Sequence, residues 1–222
     1  MSLHLYYGPG ACSFIPHVAL RLIEQRTGQP FEATMVRMHK GEHRQEAFLR
    51  INPNGQVPAL VDDGQTVTQI VAIISHLARR FPQAGLLPQE VWARTRALET
   101  LAWFNNTVHP TFTRIFMPSR IVADEAAQAV VRTEAVGAYR ALMAQVQERV
   151  QALGDAFLDG AEAGPCDAYA LTTTRWATMG GIDVATEMPA LWTYVERVAA
   201  QPAVAATIAA EGLTLNMFKK SS

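Results

Sequence analysis

The spacing of apolar residues divides the chain into two styles. Up to about Pro82 it switches between strict alternation and helical periodicity, as a mixed α/β unit does. Leu3, Leu5 and Tyr7 alternate with His4 and Tyr6 and predict a strand, which runs into the breakers Gly8-Pro9-Gly10. Past Pro16, the run from His17 to Gln25 puts Val18, Leu22 and neighbouring aliphatics on one helical face. Phe31 to Met38 and Val57 to Val61 alternate as second and third strands. Asp62-Asp63-Gly64 then turns the third strand back into Thr66-Val67-Thr68 as a hairpin. Ile70, Ile73, Ile74, Leu77 and Phe81 follow amphipathic helical spacing. The expected order is βαβ followed by ββα.

Between Pro82 and Pro88 the periodicity lapses around Gly85, and everything beyond is helical. Helices are predicted over Trp92 to Met117, Asp124 to Leu153, Asp167 to Met179 and Met188 to Ala200, punctuated by Gly160, Gly180-Gly181 and Pro202. The pattern therefore implies a mixed unit over 1–82, a linker over 83–90 and an all-helical unit over 91–222, with no internal repeat.

Composition narrows the ligand class. Of 222 residues 49% are hydrophobic, enough for real cores without staples. Nineteen basic residues against 20 acidic ones leave no broad field to attract nucleic acid or an anionic membrane, so a small ligand is expected. No segment approaches the roughly 20 apolar residues of a membrane span, and no basic flank with a long apolar run opens the chain, so a cytoplasmic location is expected. The two cysteines, Cys12 and Cys166, form neither a C-x-x-C pair nor a disulfide framework.

Two segments carry candidate chemistry. Gly8-Pro9-Gly10-Ala11-Cys12-Ser13 sets a thiol where a helix should start, and unpaired N–H groups there favour a thiolate; Ser13 is a candidate donor to a ligand sulfur. In Asn52-Pro53-Asn54-Gly55-Gln56-Val57-Pro58-Ala59-Leu60 a proline interrupts a strand, which a cis Val57–Pro58 bond would explain. Such a bend turns the Val57 N–H and C=O outward, ready to pair with an extended peptide. His39 and His43 lie in a charged, Gly41-containing loop, and no metal site is expected there. His17 and His76 are expected to be structural, Trp92, Trp103 and Phe104 to pack helices, and Phe112 and Phe116 are candidates for an apolar pocket wall.

These segments, in this element order, resemble the bacterial beta class of glutathione S-transferases. The resemblance runs nearly end to end, through Tyr6 to Ser13, Ile51 to Leu60, Asp167 to Leu171 with Arg175-Trp176-Ala177, and the terminal Ala210-Glu211-Gly212-Leu213. It implies the glutathione S-transferase fold, an α/β thioredoxin-like N-terminal domain plus an all-α C-terminal domain. It also implies a homodimer with glutathione bound at the domain boundary as co-substrate and no tightly bound cofactor. Cys12 matches the cysteine beside the glutathione sulfur, Val57 the residue whose backbone grips the cysteinyl part, Pro58 the cis proline, and His109 a histidine facing the same site. The implied catalytic set is Cys12, Ser13 and His109. Glutathione contacts are expected from Ala11, Lys40, Gln56, Val57, Pro58, Gln69, Ile70 and Asn106.

The chain departs from the family where the γ-glutamyl group should be held. An acidic residue followed by Ser or Gly is usual there, but this chain reads Thr68-Gln69-Ile70. A charge-assisted bond contributes about 1.5–3 kcal/mol, so its loss implies about tenfold weaker binding. Near His109, Ala102 and Thr107 replace polar family residues, and Pro110 implies a kink. Gly164 replaces the Ser or Thr helix cap three residues before Asp167, which implies a weaker cap. The expected activity is conjugation of the glutathione thiol to apolar electrophiles. The alternatives are a glutathione-dependent thiol oxidoreductase or dehalogenase using Cys12, and a non-catalytic ligand-binding protein on the same fold.

Overall fold

The computed structural model describes residues 2–219. Four strands, β1 (Leu3–Tyr7), β2 (Glu32–Met35), β3 (Ala59–Asp62) and β4 (Gln65–Thr68), form one sheet in the order β2-β1-β3-β4. β2 runs parallel to β1, whereas β3 is antiparallel to both β1 and β4. This is the mixed sheet expected of a thioredoxin-like unit. Alternation decides the register: Leu3, Leu5 and Tyr7 point into the core, and His4 stacks on Tyr6 outside it. β2 is shorter than the alternation predicts and is exposed along its length, as an edge strand can be.

Helix α1 (Phe14–Thr27) buries every residue from Phe14 to Leu20, because it is covered by the sheet unit on one side and the helical half on the other. Gly28, at φ 75°, ends it. A short α2 (Glu46–Leu49) precedes the bend at Pro58, and α3 (Ile70–Arg80) buries Ile70, Ile73, Ile74 and Leu77 as its spacing requires. The helical half comprises α4 (Val91–Trp103), α5 (His109–Phe116), α6 (Glu125–Leu153), α7 (Pro165–Met179), the short α8 (Val184–Glu187), α9 (Pro189–Ala199) and α10 (Pro202–Glu211). Phe104 is buried and Arg149 covers Trp103 at 4.0 Å, but Trp92 is 69% exposed and lacks the packing expected of it.

Three further details differ from the sequence reading, each for a local reason. The single helix expected over Trp92 to Met117 is divided by a π-helical turn at Phe104–Val108, closed by His109 N–H donating to the Phe104 carbonyl. Pro110 has no N–H and its ring crowds the carbonyl four residues back; the widened turn sits just before it. Pro202 starts α10 rather than merely ending what precedes it, since proline suits the first helical position. At α7 the missing cap is replaced from a distance: Asp159 Oδ2 accepts from Cys166 N at 2.7 Å, while Asp167 Oδ2 accepts from Gly164 N at 2.8 Å. A Cβ on residue 164 would lie 2.6 Å from Asp159 Oδ2, so glycine at this position makes room for the substitute acceptor.

Candidate functional site

The turn after β1 is held from both halves of the protein. Ser13 is fully buried; its Oγ accepts from Gly8 N at 3.0 Å and donates to Gly8 O at 3.1 Å. Its single proton is therefore committed to the turn, and the expected donation to a ligand sulfur is not available in this arrangement. Ala11 N–H donates to the same Gly8 carbonyl. Gly10 adopts φ 66° and lies against the Arg175 guanidinium, where a Cβ would sit 2.7 Å from Nη1. Its N–H donates to Glu211 Oε2 at 2.8 Å, and its carbonyl accepts from Trp176 Nε1 at 2.9 Å. Glu211 also meets His17 Nδ1 at 2.8 Å, with both side chains buried. His17 is thus structural, as expected.

Cys12 precedes α1 by two residues and is partly buried. Burial pushes its thiol up to about 12, outweighing the opposite pull of the Cys12 and Ser13 amides. The expectation of a thiolate is thereby reversed: Cys12 keeps its proton at neutral pH, and Sγ donates to the Val57 carbonyl at 3.7 Å. That carbonyl precedes a cis Val57–Pro58 bond, and Val57 packs in a small cluster with Val36, Phe48 and Ala11.

Two loops flank this centre. Asn52 Nδ2 donates to the Gln56 carbonyl at 2.6 Å, leaving the exposed Gln56 side chain at a cavity of about 190 Å3. His43, Arg44, Asn54 and Arg120 line the same cavity, and His43 Nδ1 is buried there without a partner among the described residues. Lys40 lies exposed in the preceding 3-10 turn and does not line it. A larger cavity of about 250 Å3, around Leu22, Arg26, Glu162 and Val204, includes none of the expected site residues. On the other flank Gln69 sits before α3 at φ 70° and ψ 124°, a conformation that costs about 1–3 kcal/mol in a non-glycine residue. Its side chain is exposed. Ile70 is 2% exposed and belongs to the core, so only its backbone at the helix start remains for a ligand.

The helical wall is built from side chains. The His109 ring packs 4.8 Å from Trp176, the residue that holds Gly10, and its Nδ1 lies 3.3 Å from the Tyr169 hydroxyl. That hydroxyl donates to Asn105 Oδ1 at 3.3 Å, and Asn105 Nδ2 donates to Asn106 Oδ1 at 2.9 Å. Desolvation holds His109 down at about 4, so the imidazole is neutral at physiological pH. Phe112 is buried and stacks on Trp176, with Phe116 beyond it 58% exposed, so only the latter offers open apolar surface.

The structure thus connects the Cys12 turn, the Pro58 bend and the His109 wall, while Lys40 remains peripheral. Sequence reasoning missed Tyr169 and Trp176 as parts of this wall and Arg44 and Arg120 at the Gln56 cavity. The only sequence signal for the first two was their place in the resembling segments around Asp167 and Arg175.

Comparison with known proteins gives the family. A family model described as glutathione S-transferase, N-terminal domain, matches residues 1–79. The chain is 34% identical over 213 residues to glutathione S-transferase GST-4.5 of Xanthomonas campestris, with 95% of this chain and 100% of the relative covered. A solved sphingomonad glutathione S-transferase complexed with glutathione superposes with a TM-score of 0.78 at 34% identity, covering 95% and 100% of the two chains. A bacterial beta-class glutathione S-transferase from Sphingomonas chungbukensis does so with a TM-score of 0.79 at 31% identity and the same coverage.

Proposed function

This chain belongs to the glutathione S-transferase family, similar to its bacterial beta class, and acts as a glutathione transferase; we propose that it joins glutathione to apolar electrophiles between Cys12 and His109. The observation that carries this assignment of the site is the convergence at Gly10. The turn bearing Cys12 is held there by Trp176, on which His109 packs, and the Cys12 thiol meets the carbonyl of Val57.

In this reading the cysteinyl part of glutathione pairs with the Val57 backbone as an added strand. Its γ-glutamyl end lies at the start of α3, near the Ile70 amide, the Gln69 side chain and Asn106. Its glycyl carboxylate meets Lys40 or the cationic cavity of Arg44 and Arg120 beside Gln56. Ala11 and Pro58 shape the floor, and Ser13 braces the turn. The bound thiol gives up its proton to solvent as its sulfur attacks the electrophile, and the carbon–sulfur bond of the thioether forms as the bond to the leaving group breaks, releasing chloride where the electrophile is an aryl chloride. Once the peptide N–H of glutathione occupies the Val57 carbonyl, the Cys12 thiol, protonated at neutral pH, turns its proton from that carbonyl to the bound sulfur. The neutral His109 orients the thiol by accepting its hydrogen bond before the proton leaves. The electrophile lies on the apolar surface of Phe116. Cytoplasmic location and a homodimer complete the proposal; the exposed Val91 and Trp92 supply apolar surface for a second copy to cover.

Two measurements test it. Calorimetric titration should show glutathione binding, and a conjugation assay with an activated aryl chloride should show turnover. No heat at millimolar glutathione, in a folded protein, would remove the enzyme assignment. Cys12→Ala should keep kcat within about tenfold, since one neutral hydrogen bond to the sulfur is lost. Complete loss of conjugation in that variant would instead make Cys12 the nucleophile.

A further inference from the structure

The polar chain behind His109 has a direction. Tyr169 is completely buried, so its hydroxyl must be satisfied from within. Burial holds that hydroxyl well above its ordinary range, and it keeps its one proton. Asn105 Nδ2 donates to Asn106 Oδ1, which leaves Asn105 Oδ1 as the atom facing Tyr169. The tyrosine proton therefore goes to Asn105, and at 3.3 Å His109 Nδ1 meets only a hydroxyl lone pair. Nε2 makes no hydrogen bond among the described residues, yet it is not among the buried unpaired atoms. It is open to whatever enters the site.

We infer that Tyr169 and Asn105 are positioning residues that fix His109 as the Nδ1–H tautomer, presenting a bare Nε2 lone pair to the glutathione thiol. This rests on the reading of His109 given above and adds what selects its protonation pattern. A neutral imidazole of the other tautomer would point an N–H at the thiol and could not accept a hydrogen bond from it. The low proton affinity of the ring agrees with this, since His109 is uncharged near pH 7 and tautomer choice alone decides what Nε2 offers. The selecting groups come from the π turn and from α7, segments about 60 residues apart, as the separations of 64 between Asn105 and Tyr169 and 60 between His109 and Tyr169 show.

The test is a long-range proton–nitrogen correlation spectrum of protein labelled at its histidine ring nitrogens. The chain has six histidines, and the His109 signals are those lost in His109→Asn. At neutral pH the wild-type ring should show a protonated Nδ1 and a bare Nε2. Tyr169→Phe retains the ring that stacks on Phe104, but it should shift His109 toward the Nε2–H form and lower kcat/KM for conjugation about three- to tenfold, with the KM for glutathione little changed. Asn105→Asp keeps an acceptor and should keep the Nδ1–H pattern, whereas Asn105→Leu should lose it. An Nε2–H ring in the wild type, or an Nδ1–H ring that survives Tyr169→Phe, would overturn the inference. If His109→Asn leaves kcat/KM unchanged, the catalytic role of His109 fails, while the spectra still decide the tautomer independently.

Discussion

The two walls of the site are made of different material. On the sheet side, the turn from Gly8 to Ser13 and the Val57–Pro58 bend present backbone groups, and the braces on the turn are saturated: Ser13 is used twice by Gly8, and Gly10 is bound at both its N–H and its carbonyl. On the helical side, His109, Tyr169, Asn105 and Asn106 form a chain of side-chain hydrogen bonds that ends in open atoms. The first wall is rigid because the braces on Gly8, Gly10 and Ser13 fix the turn, so that it meets a ligand with groups already in place. The second keeps adjustable chemistry, since its links run between side chains and the two that Tyr169 makes are long, at 3.3 Å. A site that must bind one constant peptide and accept variable electrophiles has reason to be divided in this way.

The largest expected effect comes from breaking the sheet-side brace. Glu211→Ala removes the carboxylate that accepts from the partly buried Gly10 N–H and meets the buried His17 between the halves. Removing one partner of a buried pair costs about 3–5 kcal/mol. Denaturant unfolding should show that loss at unchanged m-value, and Glu211→Gln, whose single amide oxygen can accept from only one of the two donors, should recover part of it. A loss below about 1 kcal/mol would mean that the turn is rigid without its brace, and the contrast between the walls would weaken.

The helical wall is tested by acid. His109 is lowered from 6.5 to about 4, so between those values the unfolded chain binds a proton that the folded one refuses. Stability should therefore be intact above about pH 6.5 and fall as the pH drops toward about 4, by about 2 kcal/mol once the ring's partial access to solvent is allowed for. Asp159, pushed upward by burial and by the neighbouring Asp167, acts with the opposite sign, its contribution fading as pH rises. The measurement is accordingly a difference: His109→Asn should flatten the acid-side decline relative to wild type while leaving the alkaline side alone. Equal slopes in the two proteins would show that the His109 ring is not desolvated.

The same division explains what could be read from the sequence. The sheet-side wall is local: a thiol two residues before a helix, a proline interrupting a strand and glycines in a turn all announce backbone geometry within a few residues. Its cis bond and element order were legible for that reason. The protonation state of Cys12 was not, because desolvation by packing from elsewhere outweighs the local amides. The helical wall depends on meetings across long separations, such as Trp176 with Gly10 at 166 residues and Tyr169 with His109 at 60. No spacing rule reports such meetings. The cap of α7 shows the same limit at shorter range: a missing side chain at Gly164 is visible, but its replacement by Asp159 is a matter of how one loop folds back.

The smallest effect would sharpen the comparison most, because it concerns a place on the sheet-side wall where an exposed side chain, not a braced backbone group, would meet the ligand. Gln69 is held at φ 70° with an exposed side chain, and Ile70 contributes only backbone, so the γ-glutamyl ammonium would find a neutral amide where a carboxylate could stand. The strain at Gln69 is independent of the side-chain terminus, and Gln69→Glu leaves the fold and both braces unchanged. Replacing a neutral hydrogen bond by a charge-assisted one contributes about 1.4 kcal/mol, so calorimetric titration should show glutathione bound about tenfold more tightly. The gain should shrink with added salt, as an exposed ion pair requires, and kcat at saturating glutathione should stay the same, since the γ-glutamyl end is remote from the sulfur and binds ground and transition states alike. A raised kcat would mean instead that the γ-glutamyl end positions the sulfur against His109, joining the two walls through the ligand.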